Sequence, residues 1–179
     1  MFKRLEDDEK VLTVKELVTS PDGIELIKRW EGCKLEAYLD IVGIPTIGYG
    51  HTAGVKLGDK ITQSQADAML AGELRPRERV LNEVLPGQLL QCQFDALISL
   101  IYNIGVGAFK KSTLLKVLKT NPNSADVHTQ IMRWNKAGGK EIKGLTARRQ
   151  EEVILYQGLW SVTEPKSQTL RRVDPKGKV

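Results

Sequence analysis

The 179-residue sequence predicts a mostly helical α+β protein in which a small β-hairpin lobe and a larger helical lobe are joined by one long helix. Three observations predict it. Ala37-Tyr38-Leu39 and Thr46-Ile47-Gly48-Tyr49 have strand-like composition on either side of a Val42-Gly43 turn. Thr62-x-x-Gln65 has the form of a capping box and opens a helical spacing through Ala66, Met69, Leu70, Leu74, Leu81 and Val84. Residues 89–104 are apolar on nearly every side, as a central buried helix is.

The chain divides into an N-terminal extension at 1–20, a globular unit at 21–160 and a basic tail at 161–179. The extension has room for one short helix around 11–18. Ser20-Pro21-Asp22-Gly23 reads as a helix start, with a hydroxyl to cap free amides, a proline preset for the first turn and an acid facing the positive helix end. That helix carries Ile24, Ile27 and Glu31 on one face and ends at Gly32. The hairpin follows, then the long helix towards Glu83, which Pro76 should kink. Pro86-Gly87 separates it from the buried helix, and Gly105-Val106-Gly107 reads as a turn with no phosphate-loop context. Shorter helices are expected over about 112–119, 124–136 and 146–159, the last two separated by glycines 138, 139 and 144. The tail has few large apolar residues and two prolines, a composition that stays flexible.

Glu31 projects from the apolar face of its helix. A carboxylate there is costly to ionise and can keep its proton near neutrality, which is what a general acid needs. Asp40 and Thr46 lie equally far from Gly43 in sequence, so a loop centred on that glycine would set a carboxylate and a hydroxyl opposite each other. Together they could hold a water facing Glu31. Taken singly, each has a plain structural alternative as a solvated helix end or a turn residue. Arg148 and Arg149 open the final predicted helix, where cations are unfavourable unless paired. They could also be two surface arginines balanced by Glu151 and Glu152. His51 reads as the partner of an acid that stabilises the small lobe, with direct catalysis as the alternative.

Glu31-x8-Asp40-x5-Thr46, set within E-G-x4-A-Y-x-D-x2-G-x2-T-x-G-Y-G-H-T, resembles without gaps the catalytic segment of the phage-type lysozymes, endolysins that break bacterial peptidoglycan. The resemblance continues through 93–105 and 145–152 and covers the chain from about Asp22 to about Trp160. It implies a lysozyme-like fold and cleavage of the β-1,4 bond between N-acetylmuramic acid and N-acetylglucosamine. It also implies that Glu31 is the acid and that Asp40 and Thr46 place the attacking water. The hydroxyl at Thr46 favours an inverting outcome, because a direct nucleophile has no need of a neighbour to position water. Tyr38 and Asn103 would line the substrate cleft, although Asn103 could equally cap its own helix. Arg148 would be the salt-bridge partner of the catalytic acid.

Composition narrows the partners. The net charge of +5 and pI near 9.2 suit a polyanionic target. The tail holds five Lys or Arg against Glu164 and Asp174, so much of the excess lies there, and the tail could bind an anionic envelope. No basic helix with interleaved aromatics supports nucleic-acid binding. His51 and His128 are too few and too isolated for a metal site, and no metal or cofactor is expected. Cys33 and Cys92 read as reduced, and Cys33 as a small buried filler rather than a redox control. Residues 1–20 mix acids with bases and lack an apolar run, so neither a signal peptide nor a signal anchor is expected there. The enzyme is expected to be a monomer kept in the cytoplasm until a holin lets it reach the wall. A lytic transglycosylase, a non-catalytic wall-binding module and a chitinase are the alternatives. Asp40 argues against the first, because that chemistry needs the acid but no second carboxylate.

Overall fold

Pro21–Glu31 form the first helix, α1, in a computed structural model that describes residues 15–160. Pro21 occupies its first turn as expected, and Gly32 ends it at φ +66°. Ser20 does not cap with its hydroxyl. Its N–H and Oγ instead donate to the Asp95 carboxylate, at 2.9 and 2.6 Å, so an acid from another helix anchors the start of α1. Before it, residues 15–20 are not helical, so the helix expected around 11–18 does not cover 15–18, the part of it that is described. Asn82 holds the backbone of Leu17 through both its N–H and its C=O, at 3.0 and 2.8 Å, and Glu78 accepts from Thr19. Those side chains supply the partners a helix would have supplied itself. Residues 1–14 and the tail at 161–179 lie outside the described residues.

β1 (Lys34–Leu39) and β2 (Pro45–Gly48) form the antiparallel hairpin. Its register corrects the sequence expectation, because Thr46 faces Tyr38, and Leu39 faces Pro45. The loop is centred on Val42 rather than Gly43. The reason is the Asp40 side chain, whose Oδ1 accepts from the Val42 and Ile44 amides at 2.9 and 2.8 Å, while Asp40 N–H donates to Ile44 O at 3.0 Å. Closing the loop on the 40–44 pair places residue 38, not 40, opposite 46.

α2 (Gln63–Val84) carries the expected capping box at Thr62 and Gln65. Pro76 lies inside it, and the Arg77 guanidinium folds back onto the Glu73 carbonyl and carboxylate. α3 (Gln91–Ile104) is the buried centre, with Phe94, Leu97, Ile98, Leu100 and Ile101 at most 1% exposed. Then come α4 (Val106–Lys110), α5 (Thr113–Thr120), α6 (Asp126–Met132), the two-residue strands β3 (Lys136–Ala137) and β4 (Lys140–Glu141), and α7 (Lys143–Tyr156). α3 packs against α1, α2 and α7.

Three boundaries differ from expectation. Only Gly105, at φ +85°, breaks the chain after α3, and Val106 and Gly107 already belong to α4. α6 stops at Met132 because the chain leaves it for the β3–β4 hairpin, turned by Gly138 and Gly139 at positive φ. α7 starts at Lys143 and includes Gly144. Both cysteines are free and half-buried. Among the described residues no helix is long and apolar enough to cross a membrane, and no group of three metal-ligating side chains occurs.

Candidate active site

Glu31 is the last residue of α1, placed where the helix gives way to the hairpin. It lines an open cleft of about 420 Å³ together with Trp30, Gly32, Cys33, Lys34 and Tyr38. Tyr38 is 39% exposed and lines this space from β1.

Arg148 reaches Glu31 from α7, its Nη1 donating to Oε1 at 2.7 Å. The guanidinium is nearly buried, at 4% side-chain exposure, against 23% for the carboxylate. Its other nitrogens are also engaged. Nε donates to Glu152 Oε1 and Nη2 to the Ser99 carbonyl, both at 3.2 Å. Arg149 is fully buried and meets Glu152 through Nη2 at 2.9 Å and through Nε at 2.8 Å. The two arginines are therefore neither surface residues nor the opening of a helix. α7 begins five residues before Arg148, and both side chains turn inward to buried acceptors. Burial pushes the Glu152 carboxyl up from its ordinary range, and the charges of Arg149 and Arg148 with the Ser99 hydroxyl pull against it.

Asp40 and Thr46 come together differently from the expected facing pair. Asp40 Oδ1 is spent on the loop amides, and among the described residues Oδ2 has no protein partner. Thr46 is 4% exposed, and its hydroxyl donates to Ile44 O at 2.9 Å. A hydroxyl that has given its one proton can only accept. Both side chains are thus acceptors at the same end of the hairpin.

His51 pairs with an acid, its Nδ1 lying 3.0 Å from Glu73 Oε1 on α2 and its Nε2 3.1 Å from Ala53 O. Both partners are acceptors, so only the doubly protonated ring makes both bonds. Burial pushes the Glu73 carboxyl up, but hydrogen bonds and charge from His51 and Arg77 outweigh it and hold the group below its ordinary value. Asn103 is exposed at the end of α3. It does not cap its helix, which is closed by Gly105 N–H donating to Ile101 O at 2.9 Å.

Tyr102 was not singled out by its sequence context. Its hydroxyl donates to Tyr49 O at 2.9 Å, and Arg77 sits 4.8 Å above its ring, so one side chain of α3 ties the small lobe to α2. Burial, with the Glu31 and Glu73 charges, pushes this phenol up to about 12, and it stays neutral. The Glu152 network was readable in part, since Arg148 and Arg149 stand four and three residues before Glu152, the spacing of helical ion pairs.

The family model for phage lysozyme matches residues 28–152. An endolysin of Acyrthosiphon pisum secondary endosymbiont phage 1 is 43% identical over 142 residues, 77% of this chain and 97% of that protein. Among solved structures, an endolysin from Escherichia coli O157:H7 phage FAHEc1 superposes with a TM-score of 0.72 at 36% identity, over 79% of this chain and 94% of that one. The muramidase domain of SpmX from Asticaccaulis excentricus gives 0.71 at 33% identity, over 78% and 97%. With the matched segment running from the helix that carries Glu31 to the buried carboxylate behind Arg148, this chain belongs to the phage lysozyme family.

Proposed function

We propose that the cleft beside Glu31 cuts the β-1,4 bond between N-acetylmuramic acid and N-acetylglucosamine, with Glu31 as general acid and Asp40 and Thr46 placing the water. As a phage lysozyme the protein is a peptidoglycan hydrolase, a glycosidase acting in bacterial cell-wall lysis. The observation that carries the residue assignment is the position of Glu31, on the wall of an open cleft and held through one oxygen by a buried arginine. Its proton goes to the glycosidic oxygen as the sugar bond breaks. Water then adds to the anomeric carbon from the opposite face, and its proton is taken by Asp40. Asp40 Oδ2 and the acceptor-only Thr46 hydroxyl suit the two hydrogens of that water, leaving its lone pair for the sugar. Tyr38 and Asn103 are exposed and serve as substrate contacts, while His51 supports the small lobe through Glu73.

The test is a digest of purified peptidoglycan by the native enzyme and by Glu31→Gln, whose amide fills the same space and gives no proton. The variant should keep its melting temperature and lose about 10²–10⁴-fold in rate. Mass spectrometry should show hydrated reducing ends, and NMR of a fresh digest the inverted anomer. Near-normal rates in folded Glu31→Gln would refute the acid. A retained anomer would refute water placement by Asp40, and 1,6-anhydro ends would replace hydrolysis by transglycosylation. The reading also includes a monomer held in the cytoplasm until a holin opens the inner membrane. Sedimentation of the pure protein tests the first part, and lysis on expression without any holin would refute the second.

A further inference from the structure

Glu152 is a fully buried carboxylate that the proposed chemistry does not use. Its Oε1 accepts from Ser99 Oγ at 2.8 Å, Arg149 Nη2 at 2.9 Å and Arg148 Nε at 3.2 Å, and its Oε2 lies 2.8 Å from Arg149 Nε. Buried ion networks are weak contributors to stability, and apolar side chains of similar size often replace them without loss. The geometry around Arg148 gives this one a different use. A guanidinium facing a carboxylate ordinarily presents two parallel N–H groups and engages both oxygens. Arg148 does not do so, because its nitrogens are divided among three partners: Nε to Glu152, Nη2 to Ser99 O and Nη1 to Glu31 Oε1.

We propose that Glu152 is a positioning residue for the hydrolysis, which by occupying Arg148 Nε limits that arginine to one bond with Glu31 and leaves the second Glu31 oxygen to carry the proton. The inference rests on Glu31 being the acid. Without the Glu152 charge, Arg148 is free to turn and clasp both oxygens of Glu31, a contact that favours the ionised carboxylate and disfavours the proton-bearing form. Glu152 also balances Arg148 at the moment Glu31 is protonated. The other charged or titratable groups around Glu31 are Arg29, Cys33, Lys34 and Tyr38 in the cleft wall, Tyr102 on α3 and Arg149 on α7, and of these Arg149 alone is bonded to Glu152.

The experiment compares the native enzyme with Glu152→Gln, Glu152→Asp and the pair Arg149→Met with Glu152→Met, on soluble glycan oligomers across pH. Glu152→Gln should lower kcat about tenfold or more with KM within about twofold, and the high-pH limb of kcat/KM should move to lower pH, by up to about one unit. A passive structural role would move neither the limb nor the balance between kcat and KM. Glu152→Asp, which keeps the charge, should recover part of the rate. The paired variant exchanges the ion pair for apolar volume, so it should fold and show the same kcat loss. Native kcat and an unmoved limb in either folded variant would overturn the proposal. A measurement on the native protein does not depend on any variant folding. The Arg148 Nε–H resonance should be protected from exchange at neutral pH, where it is bonded to Glu152 Oε1, and a freely exchanging Nε–H there would show that Glu152 is not the anchor. Activity surviving in Glu31→Gln would instead overturn the assignment of the acid, and this inference with it.

Discussion

Gly23 and Gly72 are both helical glycines, and substituting alanine should have opposite effects at the two. In an exposed helix the exchange stabilises by up to about 1 kcal/mol. Gly72 is exposed in α2, and a Cβ there meets nothing within 4 Å, so Gly72→Ala should show that gain. At Gly23 an added Cβ would lie 2.8 Å from Asp95 Cβ and from Thr19 Cγ2, and 2.9 Å from Asp95 Cγ. These are close approaches to a packed helix rather than to a mobile tip, so either α1 and α3 separate or Asp95 turns away. Separation is overpacking, costing about 1–3 kcal/mol. Turning Asp95 breaks its bonds to Ser20 N and Oγ, each worth about 1.5–3 kcal/mol as bonds to a charged group. Either cost exceeds the helical gain, and a net loss of about 2 kcal/mol is expected. For a chain of this length that is a fall of about 4–8 °C in Tm. Calorimetric melts of the two variants beside the native protein decide it. A Gly23→Ala protein that melts at or above the native temperature would refute the close approach of α1 and α3.

Two further outcomes follow from charge. Glu73 is held below its ordinary value in the folded protein, so its pairing with His51 and Arg77 contributes in full above about pH 4.3 and fades as pH falls through the depressed folded value. Glu73→Gln should therefore lower Tm near neutrality, and the gap should close in acid; a gap that widens with acidification would contradict the pairing. If the basic tail holds the enzyme near anionic envelope, deleting 161–179 should weaken action on whole cells, more at low salt than at high, and spare short oligosaccharides. Equal activity of the two proteins on cells at low salt would leave the tail without that role.

The parts of the fold legible in the sequence are those decided within one helical turn or by strong apolar patterning. Pro21 and Gly32 bound α1, Thr62 and Gln65 cap α2, and the largely apolar stretch of α3 reads as a core helix. The placement of Glu31 at the end of its helix belongs to the same class, since it needs only the helix and its stop. The errors occur where a side chain takes over a job the backbone was expected to do. Asp40 closes the hairpin loop with its own carboxylate, which moved the register by two residues on one strand. Asn82 and Glu78 hold residues 15–20 in a non-helical path, and Asp95 replaces Ser20 as the anchor of α1. None of these partners is within 50 residues of the backbone it serves, except Asp40, and no local propensity records them.

The arginines of α7 show the same limit from the side of function. Two cations followed by two acids on one helix fit a solvated face as well as a buried one, because the spacing of ion pairs is identical in both. What separates the two is the face that looks at α3, and that face is set by Leu155 and Tyr156 at one end and by Ser99 across the gap. Once Glu152 is turned inward, Arg148 and Arg149 must follow it, because a lone buried carboxylate would be far costlier than a paired one. Of the two, Arg148 is the one that bonds α1, through Nη1 to Glu31 Oε1. The contact between the candidate acid and its arginine thus follows from how α7 packs on α3, and if Glu31 is the acid, substitutions at Glu152, which does not line the cleft, should alter the chemistry in it.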